Sequence, residues 1–100
     1  MTMQQFRDSL QNNEPPDGLA PLLQALWCDA KGDWQRAHEI AQNIDSRDAA
    51  WVHAYLHRKE GDASNARYWY GQAGKPPSPG DIQGEWSEIV HQLLAIKFHT

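Results

Sequence analysis

Two histidines, His53 and His57, stand four positions apart in the middle of the chain. In a helix this spacing places both imidazoles on one face, as in a metal-binding pair. Glu60 follows, but it lies two helical turns from His53, about 10.5 Å along the axis, so one helix cannot supply all three ligands. A metal site would therefore need a further ligand, from His38 or His91. The simpler interpretation is that both histidines are buried and hydrogen-bonded to neighbouring helices.

A run of three aromatic residues, Tyr68, Trp69 and Tyr70, is a second candidate for binding. Consecutive helical residues point about 100° apart, so the three rings cannot form one flat stacking surface. We therefore expect Trp69 and Tyr70 in the core, and Tyr68 stays a candidate for ligand contact. A polar corner at Arg58 and Asn65 could hold a small anion or a peptide terminus, although solvated helix capping is the simpler explanation.

Composition and charge argue against several classes of protein. The chain has 100 residues, enough for one domain with a modest core, and its net charge of −4 argues against a nucleic-acid partner. The chain has no apolar run long enough to predict a membrane span, and its amino terminus has no signal-peptide pattern. Cys28 is the single cysteine, so we expect a buried thiol and a cytoplasmic setting. No phosphate loop, paired-carboxylate motif or serine elbow is present.

An internal repeat predicts the architecture. The pair Gly32-Asp33 recurs as Gly61-Asp62, 29 positions further on, and helical patterns precede and follow both copies. Each glycine is expected to end a helix in the left-handed conformation, and each aspartate to cap the next helix. Self-similarity at this period is typical of stacked helix hairpins.

Hydrophobic periodicity then divides residues 1–100 into the parts of one all-α domain. These are a short N-terminal segment at 1–17, with a helix at 3–11; a first hairpin at 18–44, capped by Asp17; a second hairpin at 46–73; a loop at 74–81; and a capping helix at 82–98. The helix from 46 to 60 is apolar nearly all round, which predicts a central position. The last helix should pack Trp86 and Ile89 on the helix at 63–73 and turn Glu85 to solvent.

The two hairpins resemble tetratricopeptide repeats. Small residues occupy the positions where paired helices of that motif cross closely: Ala25 and Ala37 in the first hairpin, Ala54 and Ala66 in the second. The resemblance implies an α-α superhelical stack whose first helices line a concave face. The runs WVHAYLHRKEGD at 51–62 and NARYWY at 65–70 are also similar to a family of uncharacterised bacterial and fungal proteins, which implies no particular activity.

The leading functional prediction is a non-enzymatic interaction module that binds a short peptide or one partner helix. The concave face should carry Trp51, Tyr55 and Arg58, because aromatic and arginine side chains dominate binding hot spots. Asn65 and Tyr68 complete the predicted binding residues. We expect no catalytic residue, cofactor, metal, nucleic acid or membrane partner, and a monomer or weak homodimer.

The alternative is a small-molecule or metal-binding pocket centred on His53, His57 and Tyr68, with or without catalysis. The environment of the two histidines separates these hypotheses. Buried imidazoles with satisfied nitrogens favour the interaction module, whereas free nitrogens that face a cavity favour the pocket.

Overall fold

A computed structural model describes residues 1–96, and its regular secondary structure is entirely helical. The described helices are α1 (Met3–Ser9), α2 (Pro21–Ala30), α3 (Trp34–Gln42), α4 (Arg47–Glu60), α5 (Ala63–Ala73) and α6 (Ile82–Ile96). The prediction of an all-α protein is confirmed, and the predicted helix end at Phe98 lies outside the described residues. None of the helices in this part of the chain is both long and apolar enough to cross a membrane.

The repeated glycine and aspartate pairs end and begin helices as predicted. Gly32 and Gly61 have φ angles of +89° and +92°, in the left-handed region that favours glycine. The carboxylates of Asp33 and Asp62 each accept a hydrogen bond from the backbone amide three residues on, at 3.1 and 3.2 Å. Connections of three residues (31–33) and two residues (61–62) therefore join α2 to α3 and α4 to α5, and each pair packs as a hairpin.

The start of the first hairpin differs from the prediction. Asp17 is not the N-cap, because α2 begins at Pro21 and its N-cap residue, Ala20, provides no side-chain hydrogen bond. Gly18 has a φ of +75°, which a right-handed helix cannot accommodate, so the chain turns there before the helix starts. The end of this hairpin is also earlier than expected, since α3 stops at Gln42 and not at Ile44.

Helix α4 is the centre of the fold, as its all-round apolar pattern predicts. Every residue from Ala49 to His57 is buried, and α2, α3, α5 and α6 all pack against this helix. Burial on every side means that each face of α4 is committed to a particular neighbour. The side chains of the neighbouring helix therefore determine which contacts each face of α4 makes.

Helix α6 packs across α2 and α4 with α1 beside it, and the prediction that it caps α5 is wrong. The Trp86 indole donates a hydrogen bond to the Leu26 carbonyl at 3.0 Å, and its ring lies 5.8 Å from that of Phe6. Ile89 and Val90 on the same face are completely buried. The apolar stripes of α2 and α4 thus bury the apolar face of α6, and α6 in turn covers the side of α4 that carries Trp51 and Tyr55.

The left-handed turn at Gly61 gives a stability prediction. Gly61→Val should lower the free energy of unfolding by about 1 kcal/mol or more, because a β-branched residue is strained at positive φ. An added Cβ would meet no atom within 4 Å, so the loss reflects the backbone alone. Gly71→Ala, at an equally open site inside α5, is the control and should stabilise the protein by roughly 0.5–1 kcal/mol. Urea denaturation measures both, and equal effects would contradict the turn geometry.

Candidate functional site

One face of α4 carries a buried ionic network around Glu85 of α6. Glu85 is only 1 % exposed and pairs with the Arg58 guanidinium at 2.9 Å. The Trp51 indole and the Tyr70 hydroxyl also donate hydrogen bonds to this carboxylate, at 3.2 and 2.6 Å. The hydrogen bond to Glu85 raises the pKa of Arg58 above its ordinary value. Glu85 is therefore buried, although its sequence position predicts that it faces solvent. Its contacts hold α4, α5 and α6 together.

A second buried carboxylate, Asp29 of α2, binds Tyr55, the remaining residue of the predicted binding stripe. The Tyr55 hydroxyl donates a hydrogen bond to Asp29 at 2.6 Å, and the Lys59 ammonium pairs with the other oxygen at 2.9 Å. Burial, together with the hydrogen bond to Asp29, raises the pKa of the Tyr55 phenol. With Tyr55 1 % and Trp51 3 % exposed, the prediction that this stripe lines an open groove is wrong, since α6 covers it.

The other two residues named for partner binding lie on α5 and are exposed. Asn65 donates its side-chain amide to the Asp62 carboxylate at 2.9 Å, and this hydrogen bond lowers the pKa of Asp62. Tyr68 is 57 % exposed and sets its ring at 88° to that of Trp69. Asn65 thus belongs to the helix cap, and Tyr68 does not meet the histidines with which the alternative hypothesis groups it.

Three histidines from two helices converge on the opposite side of α4. His38 of α3 places its Nε2 atom 2.9 Å from Nε2 of His53, and His57 lies beside them. One ring nitrogen from each of the three lies within 4.8 Å of the other two. His53 and His57 are 5 % and 8 % exposed. Packing of α3 on α4 therefore selects His38 as the third member, whereas His91 is exposed on α6.

Two tryptophans hold the three imidazoles in place. The Trp34 ring stacks on His38 with centroids 4.9 Å apart, and its indole N–H donates a hydrogen bond to an α4 carbonyl at 2.8 Å. His53 lies between Trp69 of α5, at 3.9 Å, and His57, at 4.9 Å, with all three rings nearly parallel. A ring fixed on both faces loses little further freedom when it binds a ligand.

Glu60 contacts the Nδ1 atom of His57 and so orients this imidazole. Its Oε2 atom lies 2.7 Å from Nδ1 of His57, so the proton of a neutral imidazole resides on Nδ1. The lone pair of Nε2 is then free to bind a ligand. A carboxylate on the second nitrogen is the usual arrangement for a metal-ligating histidine.

Two imidazoles of the cluster, those of His38 and His53, have lowered pKa values that favour the uncharged form. Burial lowers the pKa of His53 to about 4, and repulsion from His38 and His57 adds to the effect. Burial is also the largest cause that lowers the pKa of His38. Neutral imidazole is the form that binds metal ions, so His38 and His53 can bind a metal at neutral pH without first losing a proton.

A cavity of about 450 Å³ adjoins the cluster on the side of His53. It lies between α3, α5 and the amino-terminal turn of α4, and Trp69 and Arg47 are among its lining residues. Three alanines, Ala41, Ala49 and Ala50, leave the space open. Comparison of the chain with models of known families, with curated proteins and with solved structures gave no match. The function is accordingly argued from this geometry.

Proposed function

We propose that this protein is a tetratricopeptide-like pair of helix hairpins that binds one divalent metal ion of the zinc type through His38, His53 and His57. The observation that carries the proposal is the convergence of one nitrogen from each imidazole within 4.8 Å. Matching glycine-aspartate turns support the tetratricopeptide-like description. The proposal follows the alternative hypothesis from the sequence, a pocket centred on His53, His57 and Tyr68. It differs in that His38 replaces Tyr68.

The donor set fits zinc in both chemistry and spacing. Imidazole is a preferred ligand of borderline-soft divalent ions. Ligand nitrogens of a tetrahedral zinc site with bonds near 2.0–2.1 Å are about 3.3 Å apart. The Nε2 atoms of His38 and His53 are 2.9 Å apart, within a few tenths of an ångström of this spacing, and the ligand nitrogen of His57 lies within 4.8 Å of both other ligand nitrogens. Glu60 supplies the carboxylate that fixes the tautomer of His57.

Three protein ligands are typical of zinc sites with an open position, whereas structural sites use four. The core of this fold is also built without the cluster, from apolar side chains of all six described helices. We therefore expect an exchangeable ion with a water as fourth ligand, and a chain that folds without metal. Because α6 fills the concave side, the geometry favours this site over a peptide groove as the functional centre.

Titration of the metal-free chain with Co²⁺ and Zn²⁺ tests the proposal. One Co²⁺ per chain should bind with the visible absorption of a tetrahedral ion, and Zn²⁺ should displace it. His38→Gln removes a ligand from a half-buried position and should weaken binding at least about tenfold, whereas His91→Gln, at an exposed site on α6, should have no effect. Equal affinity in the wild type and the His38→Gln variant would overturn the site.

A second variant separates orientation from ligation. Glu60→Ala leaves all three imidazoles in place and should weaken zinc binding by about 10- to 100-fold, the usual effect of losing a carboxylate that orients a ligand. The cobalt spectrum of this variant at saturation should keep its tetrahedral form. A changed spectrum would instead identify Glu60 as a ligand.

A further inference from the structure

We infer that the cavity beside His53 binds a small organic carboxylate, with its charged end at Arg47 and the Nδ1 atom of His53 and its apolar body against Trp69. The cavity has a volume of about 450 Å³, within the range of small-molecule sites. This inference deepens the proposed function, because His53 belongs to both sites. The carboxylate site itself does not require a bound metal.

The first step is the unpaired nitrogen of His53. Its Nε2 atom is engaged with His38, and its Nδ1 atom has no hydrogen-bond partner among the described residues. Among residues 1–96, every fully buried side-chain nitrogen or oxygen has a hydrogen-bond partner. Because Nδ1 of His53 has none, this atom must be accessible, although the residue as a whole is only 5 % exposed. The space that His53 lines is this cavity.

The second step is the charge around the cavity. Arg47 lines it and makes no hydrogen bond or ion pair in the described part of the chain. Arg47 is also the first residue of the 14-residue helix α4, whose first-turn N–H groups carry partial positive charge. Asp45 is the carboxylate on the lining, and it is exposed. Arg47 and the α4 amino terminus are opposed by Asp45 on the lining and by Asp48 in the same first turn, and this small positive balance favours a monoanion over a doubly charged phosphate.

The third step is the apolar wall. Trp69 lies on the lining with its ring stacked on His53 at 3.9 Å, and Ile44 also lines the cavity. Lining alanines on α3 and α4 present only methyl groups. A ligand that places only a charged group at Arg47 would leave this wall in contact with water. A carboxylate on a ring or a short branched chain would cover it.

Metal binding and carboxylate binding should reinforce each other. A metal ion on Nε2 of His53 fixes the proton on Nδ1, which is then a hydrogen-bond donor that faces the cavity. The ligand carboxylate provides the acceptor that this donor lacks within the protein. Each ligand would thereby hold the same imidazole in the tautomer that the other requires.

The experiment uses the full chain treated with EDTA, so its outcome does not depend on the metal proposal. Benzoate is titrated while the amide signals of Arg47 and Ala49 and the indole signal of Trp69 are followed by NMR. These signals should shift together and saturate. Benzamide has the same shape without the charge and should bind at least about tenfold more weakly, as should inorganic phosphate, which lacks the apolar body.

Two arginine variants complete the test. Arg47→Gln should weaken benzoate binding at least about fivefold, whereas Arg67→Gln, an exposed arginine of α5 outside the cavity lining, should leave it unchanged. Absence of saturable shifts, or equal loss in both variants, would overturn the carboxylate site. Equal binding of benzamide and benzoate would overturn the role of charge. Failure of the metal titration would leave all these measurements valid.

Discussion

Arg58→Ala should lower the free energy of unfolding by about 3 kcal/mol, because it leaves the Glu85 carboxylate buried without a cation. Glu85 is 1 % exposed and cannot regain water without displacing α6. The Arg58 side chain is itself 27 % exposed, so we place the loss at the low end of the range for broken buried pairs. The sequence instead predicts Arg58 on an open binding face, where the loss of an exposed charge would change stability little.

Urea denaturation of three variants provides the measurement and its controls. Arg67→Ala removes an exposed arginine from α5 and should change stability by less than about 0.5 kcal/mol. Combining Arg58→Ala with Glu85→Gln removes the uncompensated charge and should recover part of the loss. An unchanged free energy of unfolding in the Arg58→Ala variant would show that the buried network does not stabilise the fold, and Arg58 would again be a candidate for partner binding.

Acidification of the metal-free protein from pH 7 to pH 4 should cost about 3 kcal/mol of stability through His53 alone. Its pKa is about 4 in the folded protein, against 6.5 for an ordinary histidine, and each pKa unit corresponds to about 1.4 kcal/mol. The unfolded chain therefore takes up the proton first. The full stabilisation is present above about pH 6.5 and is lost progressively as the pH falls towards 4. The lowered pKa of His38 acts in the same direction.

Chemical denaturation at a series of pH values measures this slope. His53→Gln removes the titrating group, so its stability should depend less on pH over this range, whereas His91→Gln should follow the wild type. Added Zn²⁺ should shift the acid transition to lower pH, because metal and protons compete for the same nitrogens. A wild-type slope identical to that of the His53→Gln variant would contradict the buried, uncharged state of His53.

Local features of the chain were predictable because nearby residues decide them. The two glycine-aspartate turns depend on one positive φ angle and one side-chain cap, and both formed where the repeat placed them. The start of α2 was missed because Asp17 matched a capping pattern, while the left-handed turn at Gly18 moved the helix to Pro21. Residue types indicate a possible helix cap, but the backbone conformation of the preceding turn decides where the helix begins.

The candidate metal site was half predictable. The spacing of His53 and His57 places two imidazoles on one face of any helix, and distance along the helix excludes Glu60 as a ligand shared with His53. The choice between His38 and His91 depends on which helix packs against that face, and no local pattern records it. The role of Glu60 at Nδ1 of His57 also needed the side-chain geometry.

The sequence by itself determined the helices, their hairpin turns and the central position of α4, because periodicity and capping act over a few residues. Tertiary structure decided which surfaces stay open. Helix α6 has one apolar face and could have covered either α5 or the paired stripes of α2 and α4. It covers the latter, where Glu85 meets Arg58 and Trp86 meets the Leu26 carbonyl. That packing buries Trp51 and Tyr55 of the predicted groove, whereas His53 on the other side of α4 lines a cavity.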